Sequence, residues 1–453
     1  MAGHHGKRKR DRDNEGRMLP AIHSTGESVM DAIPVEVIGN ILSRVAAARD
    51  VVRASATSRR WREAAHHHLL ALRFQTADWP GYATLDTKDL ELVVTQTILK
   101  TTCLEQLSIR FDDLWHDFSD MAVSAWLLHT HDSLRFLTYT TISMPRVNVF
   151  ERCGNARLQS LVFGHTETLS KEYAAQRFPS LLSLTLSEVC AGAADLNLLL
   201  SGCPKLESFS LLIADRPSLD PRATLKLTSS SLKSFMLEDY NNEWDNIILE
   251  ADNLEALHLR KSTIEHFRLV SKGSLRMLRI DDLRIIHELD IGEATDLEIV
   301  DLSNSCTEKW AKFDHMISRP SSKLTKLRLW RVKSDDYWEV RNLEAIAFLF
   351  PRLNHLALSF ELKGGMLEYL LQGSSILEKV VLLELDSITL NNLFVDWIAG
   401  VLGRCPSLRR LVVHGHVFEA KNCGHSRMIG KFSTSFFKVL NQFPLVCVEL
   451  NNL

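Results

Sequence analysis

The chain has 453 residues, a mass of 51.4 kDa and a formal net charge of −3, with 45% apolar and 24% charged residues. This balance excludes a disordered chain, which would be poorer in apolar side chains, and gives the bulk of the protein no polyanion-binding character. The densest apolar runs, Ala345–Phe350 and Val380–Leu383, are far shorter than the ~20 residues a membrane span needs, so no membrane association is expected.

The opening MAGHHGKRKRDRDNEG is polar throughout, so no secretory signal is expected. Residues 1–28 lack periodicity and read as a disordered tail. Within it, Lys7-Arg8-Lys9-Arg10 fits either a nuclear import signal or a solvated basic run. The eight cysteines are scattered and none has Cys-x-x-Cys spacing. That argues against a disulfide framework or a four-cysteine zinc site, and for the nucleus or cytoplasm.

Residues 29–74 read as three short helices. Pro34 suits a first helical turn, and Val37, Ile38, Ile41, Leu42 and Val45 follow at one-face spacing. Asp50 has N-cap chemistry ahead of Val51 and Val52, which predicts the start of the second helix. The third carries Trp61 and runs towards Leu72, with His66-His67-His68 as a solvated end. So small a bundle cannot bury all of its apolar side chains, and the surplus implies a permanent partner.

The Ile33-Pro34 start, Ile41-Leu42-Ser43, Asp50 and the Ser58-Arg59-Arg60-Trp61 close together resemble the F-box. Ile33 stands for the commoner Leu, Arg59 for Cys or Lys, and Thr57 for a frequent Val. The resemblance implies binding to the Skp-type adaptor of a cullin–RING ubiquitin ligase. It implies adaptor contacts at Ile33, Pro34, Val37, Ile38, Ile41, Leu42, Val45, Val51 and Ala54, with Trp61 beside or partly in the interface. Residues 75–99 then form a linker. Its Leu90, Val93, Val94, Thr97 and Ile98 share one helical face, expected to cover the edge of the first repeat strand.

From residue 100 to 453 one hexamer recurs: apolar, two residues, apolar, one residue, apolar. It begins at Leu104, Leu134, Leu158, Leu181, Leu206, Leu232 and Leu254, then at Leu275, Leu297, Leu324, Leu353, Leu377, Leu408 and Leu445, giving about 14 units. The last two apolar positions face one side of a strand. No unit closes a core alone, so neighbours must stack and share one. This resembles the leucine-rich repeat family. The expected fold class is α/β: a three-helix F-box followed by an irregular leucine-rich-repeat solenoid with a parallel concave sheet.

The sequence departs from the family by lacking Asn or Cys three residues past the hexamer. Near the ends the return segments read as helices, at Met121–Ser133, Ala194–Pro204, Asn342–Pro351 and Asn392–Pro406. In the middle they alternate like strands, at Thr224, Asn246 and Ile264. Cys203-Pro204 and Cys405-Pro406 precede hexamers and read as small buried hydrophobes where a helix ends.

The chain contains no P-loop, dinucleotide fingerprint, His-Glu-x-x-His or Gly-x-Ser-x-Gly, so no catalytic residue and no cofactor is expected. His414, His416, Cys423 and His425 come nearest to a metal set. Their spacing matches no familiar pattern, and Glu419–Gly430 reads as a polar loop. The concave residues change character mid-chain, from serines to His258, Arg260, Arg279, Lys326, Arg328, Trp330 and His355. Arginine and tryptophan suit a protein substrate with an acidic or phosphorylated element. A polar sheet face neutralised by Asp281 and Asp301 is the other reading. The combined resemblance implies a non-catalytic substrate receptor of an SCF-type ligase, with no nucleic acid as partner. A scaffold that binds the adaptor without ubiquitin transfer is the alternative.

Overall fold

A computed structural model describes residues 33–111, 117–144, 149–154, 157–166, 176–189, 191–213, 223–239, 244–307, 323–334, 341–360, 362–363, 366–367, 369–371, 374–387, 392–415 and 423–451. The basic tail lies outside them. The head is three helices, α1 (Val35–Val45), α2 (Ala48–Thr57) and α3 (Arg59–His67). Pro34 supplies the carbonyl that starts α1, and Ala46 ends it in the left-handed region at φ 57°. Gly39 lets α1 cross the end of α3, since a Cβ there would stand 2.3 Å from that of His68. Ser58 Oγ caps α3 by accepting from the Trp61 N–H at 3.2 Å.

Two boundaries differ from expectation. The second helix begins at Ala48, with no side-chain cap, and Asp50 sits in its first turn. The backbone of Ala46–Ala47 is already held there, because the Arg73 N–H donates to the Ala46 carbonyl at 2.8 Å. The third helix stops at His67, and Ala71–Gln75 is a strand. It pairs in parallel with Gln106–Arg110, so the sheet begins before residue 100. Ala46–Ala47 therefore occupy the free edge of the first strand. The helix α4 (Thr87–Ile98) instead buries Leu90, Val94 and Ile98 in the core beside α5 (Asp120–Thr130), to which Trp126 Nε1–Thr95 Oγ1 ties it at 2.8 Å.

Every hexamer supplies a strand of one parallel sheet. Leu107, Leu137, Leu161, Leu184, Phe209, Phe235 and Leu257 stand in register, followed by Leu278, Val300, Leu327, Leu356, Leu383 and Leu411. All are buried, which makes one continuous apolar ladder. At the twelfth unit the frame is Val380, Leu383, Leu385, three residues later than the hexamer at Leu377 suggests; its strand is Leu382–Ser387. The last strand, Cys447–Asn451, pairs on one side only among the described residues, and Leu445 beside it is exposed.

The return segments follow the expected split. Helices Ala193–Ser201, Leu343–Leu349 and Asn392–Gly403 join α5 towards the ends. In the middle the returns are strands: Ala223–Thr228, Trp244–Glu250 and the far halves of Ala256–Val270 and Met277–Asp290. Among the described residues the joined sheet has 19 strands. At the corner between concave strand and return the same register position is left-handed five times, at Glu188, Lys261, Asp282, Asn304 and Arg331. The chain turns there through backbone conformation, one residue before the place where the family pattern would put an asparagine. Cys203 and Cys405 lie buried in the core, and burial pushes both thiols up to about 12.

Candidate interaction surfaces

The head divides the residues expected to contact an adaptor. Val37, Ile41 and Val45 are 44%, 40% and 41% exposed and, four residues apart, form one stripe along α1 with exposed Pro34 at its start. Ile38, Leu42 and Val51 depart from the expectation, since they are sealed in the head's own core. The five-residue apolar pattern of α1 covers two adjacent faces, one turned inward and one outward. Ile33, Ala54 and Trp61 are partly buried against that core, and Arg60 donates to the Ile33 carbonyl at 2.6 Å. Val52, absent from the expected set, is exposed; its place beside Val51 on α2 was the only signal.

On the concave sheet the expected substrate residues meet carboxylates. Arg260 reaches Glu238 and Asp281, each at 3.3 Å. Arg279 reaches Asp301 at 3.3 Å, and Arg328 reaches the same carboxylate at 3.8 Å. Glu238 and Asp301 are buried beneath them. The arginine cluster is therefore an inter-strand ion-pair ladder rather than a bare anion site, because adjacent strands place opposite charges about 5 Å apart. His355 Nε2 lies 2.9 Å from Glu384 Oε1, and that imidazole holds the carboxyl below its usual range, against burial. Burial, with Arg279 and Arg260 beside it, depresses His258, whose Nε2 is enclosed without a hydrogen-bond partner. Lys326 sits partly buried at the start of its strand.

Trp330 is half-buried, with the Arg328 guanidinium 4.5 Å from its ring and His414 packed edge-on at 5.1 Å. Around it Ala357, Ser359 and Asp386 are buried, and Arg331 crosses a strand to bind Asp386 at 2.6 Å. Met277, two strands away and on the far side of the Arg279–Asp301–Arg328 row, is 37% exposed. Of the weak metal set, His416 lies outside the described residues. Cys423 begins the helix Cys423–Leu440 where a polar loop was expected, because Phe432, Phe436 and Val439 pack inward. No group of three or more His, Cys, Asp or Glu suited to a metal occurs among the described residues.

Residues 30–74 match the F-box-like family, and residues 139–301 match the repeats of the "FBD-associated F-box protein At5g56370, LRR repeats" family. An Arabidopsis thaliana protein described as F-box/LRR-repeat protein At1g67190 is 46% identical over 421 residues, covering 93% of this chain and 99% of that one. The chain belongs to the F-box/leucine-rich-repeat family. A second relative, the F-box protein At1g10780 of the same plant, is 23% identical over 41% of this chain and 44% of its own length. Among solved structures, the yeast Rad7–Elc1 complex aligns over 84% of this chain and 88% of that chain, at 12% identity and a TM-score of 0.33. The family's F-box coincides with the three helices of the head, and its repeats with the stacked strands.

Proposed function

We propose that this F-box/leucine-rich-repeat protein is the substrate-recognition subunit of an SCF-type ubiquitin ligase. The head binds a Skp-type adaptor, and the concave sheet holds a protein substrate. The exposed Pro34–Val37–Ile41–Val45 stripe carries the reading. Four apolar groups on one helix face, outside the core and inside the F-box match, are what a permanent partner would cover. The receptor does no chemistry of its own. It raises the effective concentration of substrate lysines at the conjugating enzyme.

The substrate surface centres on Trp330, Met277 and His258. The paired arginines contribute orientation more than attraction, so net negative charge is not the basis of selection. Proximity labelling in cells tests the reading, with Val37→Asp/Ile41→Asp as a trap that retains substrate without degrading it. Wild type should recover the adaptor and a cullin. The trap should lose both and enrich a protein that Met277→Asp/Trp330→Ala no longer captures. Adaptor recovery without cullin, and with no protein accumulating in the trap, would favour a scaffold and sink the receptor reading.

A further inference from the structure

The two ends of the sheet are finished differently. At the head, Ala46–Ala47 cover the edge of Ala71–Gln75. At the other end the strand Cys447–Asn451 pairs only with Arg410–Gly415 among the described residues. The Cys447 N–H donates to the Arg409 carbonyl at 2.8 Å. Alternation then turns the backbone groups of Glu449 and Asn451 the same way, and those of Val448 and Leu450 outward. The side chains show the same ending. Leu408, Leu411 and Val413 of the preceding unit are buried, whereas their counterparts Leu445, Val448 and Leu450 are 89% exposed, partly buried and 38% exposed. Phe437, on the helix that leads into this strand, is exposed as well. An open edge beside an uncovered apolar row is what a further strand covers.

We propose that two copies of the chain join at this edge, strand against strand, about a two-fold axis through Val448. The head closes the opposite edge, so like strands must pair, antiparallel, and the assembly stops at two copies. With the axis at Val448, its N–H donates to the partner's Val448 carbonyl and the Leu450 N–H to the partner's Val446 carbonyl, each twice by symmetry. The Val446 N–H is already held by the Phe443 carbonyl at 3.1 Å and asks for no acceptor. On the core face Val446 then stands opposite the partner's Leu450, and Val448 opposite its twin. On the concave face Cys447 stands opposite the partner's Glu449, whose carboxylate keeps Arg410 at 2.7 Å. An axis at Glu449 would instead set two carboxylates directly opposite each other, which destabilises a strand pair. The strand is self-complementary in one register, and that selects a second copy over an unrelated strand. This assignment rests on neither the adaptor nor the substrate reading.

Sedimentation equilibrium of the full chain between about 1 and 100 μM, the range in which a small interface dissociates, should show reversible exchange between one chain of 51.4 kDa and two. Val448→Pro removes the outward donor and leaves the pairing with Arg410–Gly415 in place, so it should weaken association roughly tenfold or more. Leu445→Asp, at a solvent-facing position, should also weaken association, with an unchanged melting temperature, which separates lost association from lost folding. Glu449→Cys reads the register. Under copper–phenanthroline oxidation the introduced thiol should join the partner's Cys447, directly opposite at a Cα spacing of about 4.5 Å. Glu449→Cys/Cys447→Ser should not cross-link, because like positions then lie on the diagonal. A chain that is monomeric throughout that range, a dimer untouched by both edge variants, or a cross-link mapped to other residues would overturn the proposal. A monomer that takes up a synthetic strand of the same alternation would overturn it in favour of a strand from another protein.

Discussion

Ile41 and Leu42 are adjacent in sequence and opposite in consequence. Ile41 is 40% exposed and Leu42 is 1% exposed. Complete burial of an isoleucine contributes about 1.5–3 kcal/mol, so covering its exposed two-fifths contributes about 0.6–1.2 kcal/mol to adaptor binding. Ile41→Asp forfeits that and forces a carboxylate to desolvate against apolar surface, at a cost of roughly 2–4 kcal/mol. The combined loss, about 3–5 kcal/mol, corresponds to a complex weaker by roughly one hundred- to several-thousand-fold. The folded chain should melt at its normal temperature. Leu42→Ala should do the reverse: it empties a core site at about 2–5 kcal/mol of folding stability and leaves the adaptor surface in place. Calorimetric titration against a purified Skp-type adaptor, paired with a thermal melt of each variant, separates the two. Ile41→Asp binding within threefold of wild type, with an unchanged melt, would refute the argument that the outward stripe is the contact.

Asp301→Asn removes the carboxylate shared by Arg279 and Arg328, and should cost about 1–3 kcal/mol in a urea titration while raising retention on a heparin column. Acidification should destabilise the fold from two sources. Glu384 is depressed in the folded state, so its stabilisation is present above the ordinary glutamate range and is lost as pH falls through the lower folded value. His258 is also depressed, so the unfolded chain takes up its proton first, and stability declines once pH drops below about 6.5. His258→Gln should lack the higher of these two transitions in melts taken across pH. Asn197→Ala deletes the amide that donates to the Lys226 carbonyl at 2.6 Å and accepts from the Thr228 N–H at 2.9 Å. Hydrogen exchange should quicken across Ala223–Thr228 and stay unchanged in the concave strand Ala256–Arg260.

The repeat was legible because side-chain alternation in a parallel strand is a local property, and Leu107, Leu257 and Leu411 each announce it in their own hexamer. The slip at the twelfth unit has the same origin. Leu377 and Val380 are both apolar and three apart, so two frames fit until Leu356–Leu383 pairing selects one. The strand Ala71–Gln75 was hidden because Leu69, Leu70 and Leu72 continue a plausible helix, and only its partner Gln106–Arg110 makes it a strand. For the site, a face neutralised by Asp281 and Asp301 was one of the two readings open in the sequence, and the stacking decides between them: it sets Asp301, 22 residues later, beside Arg279. The inward and outward faces of α1 could not be told apart either, because Val37, Ile38, Ile41 and Leu42 are alike in hydropathy and only the position of α3 distinguishes them.

The head is stitched to the repeats without a slack tether. Leu70 N–H donates to Ser43 Oγ at 2.8 Å, Arg73 N–H to the Ala46 carbonyl at 2.8 Å, and Thr102 N–H to the His66 carbonyl at 3.0 Å. In the proposed receptor this turns the solenoid into a measuring rod. Each strand is a graduation of about 4.8 Å, counted from the adaptor face. A substrate held at Trp330 stands at one fixed mark, and its lysines must come to the conjugating enzyme by their own reach. Moving the recognition patch by one repeat would shift that mark by one graduation, so which lysine is modified becomes a matter of repeat count.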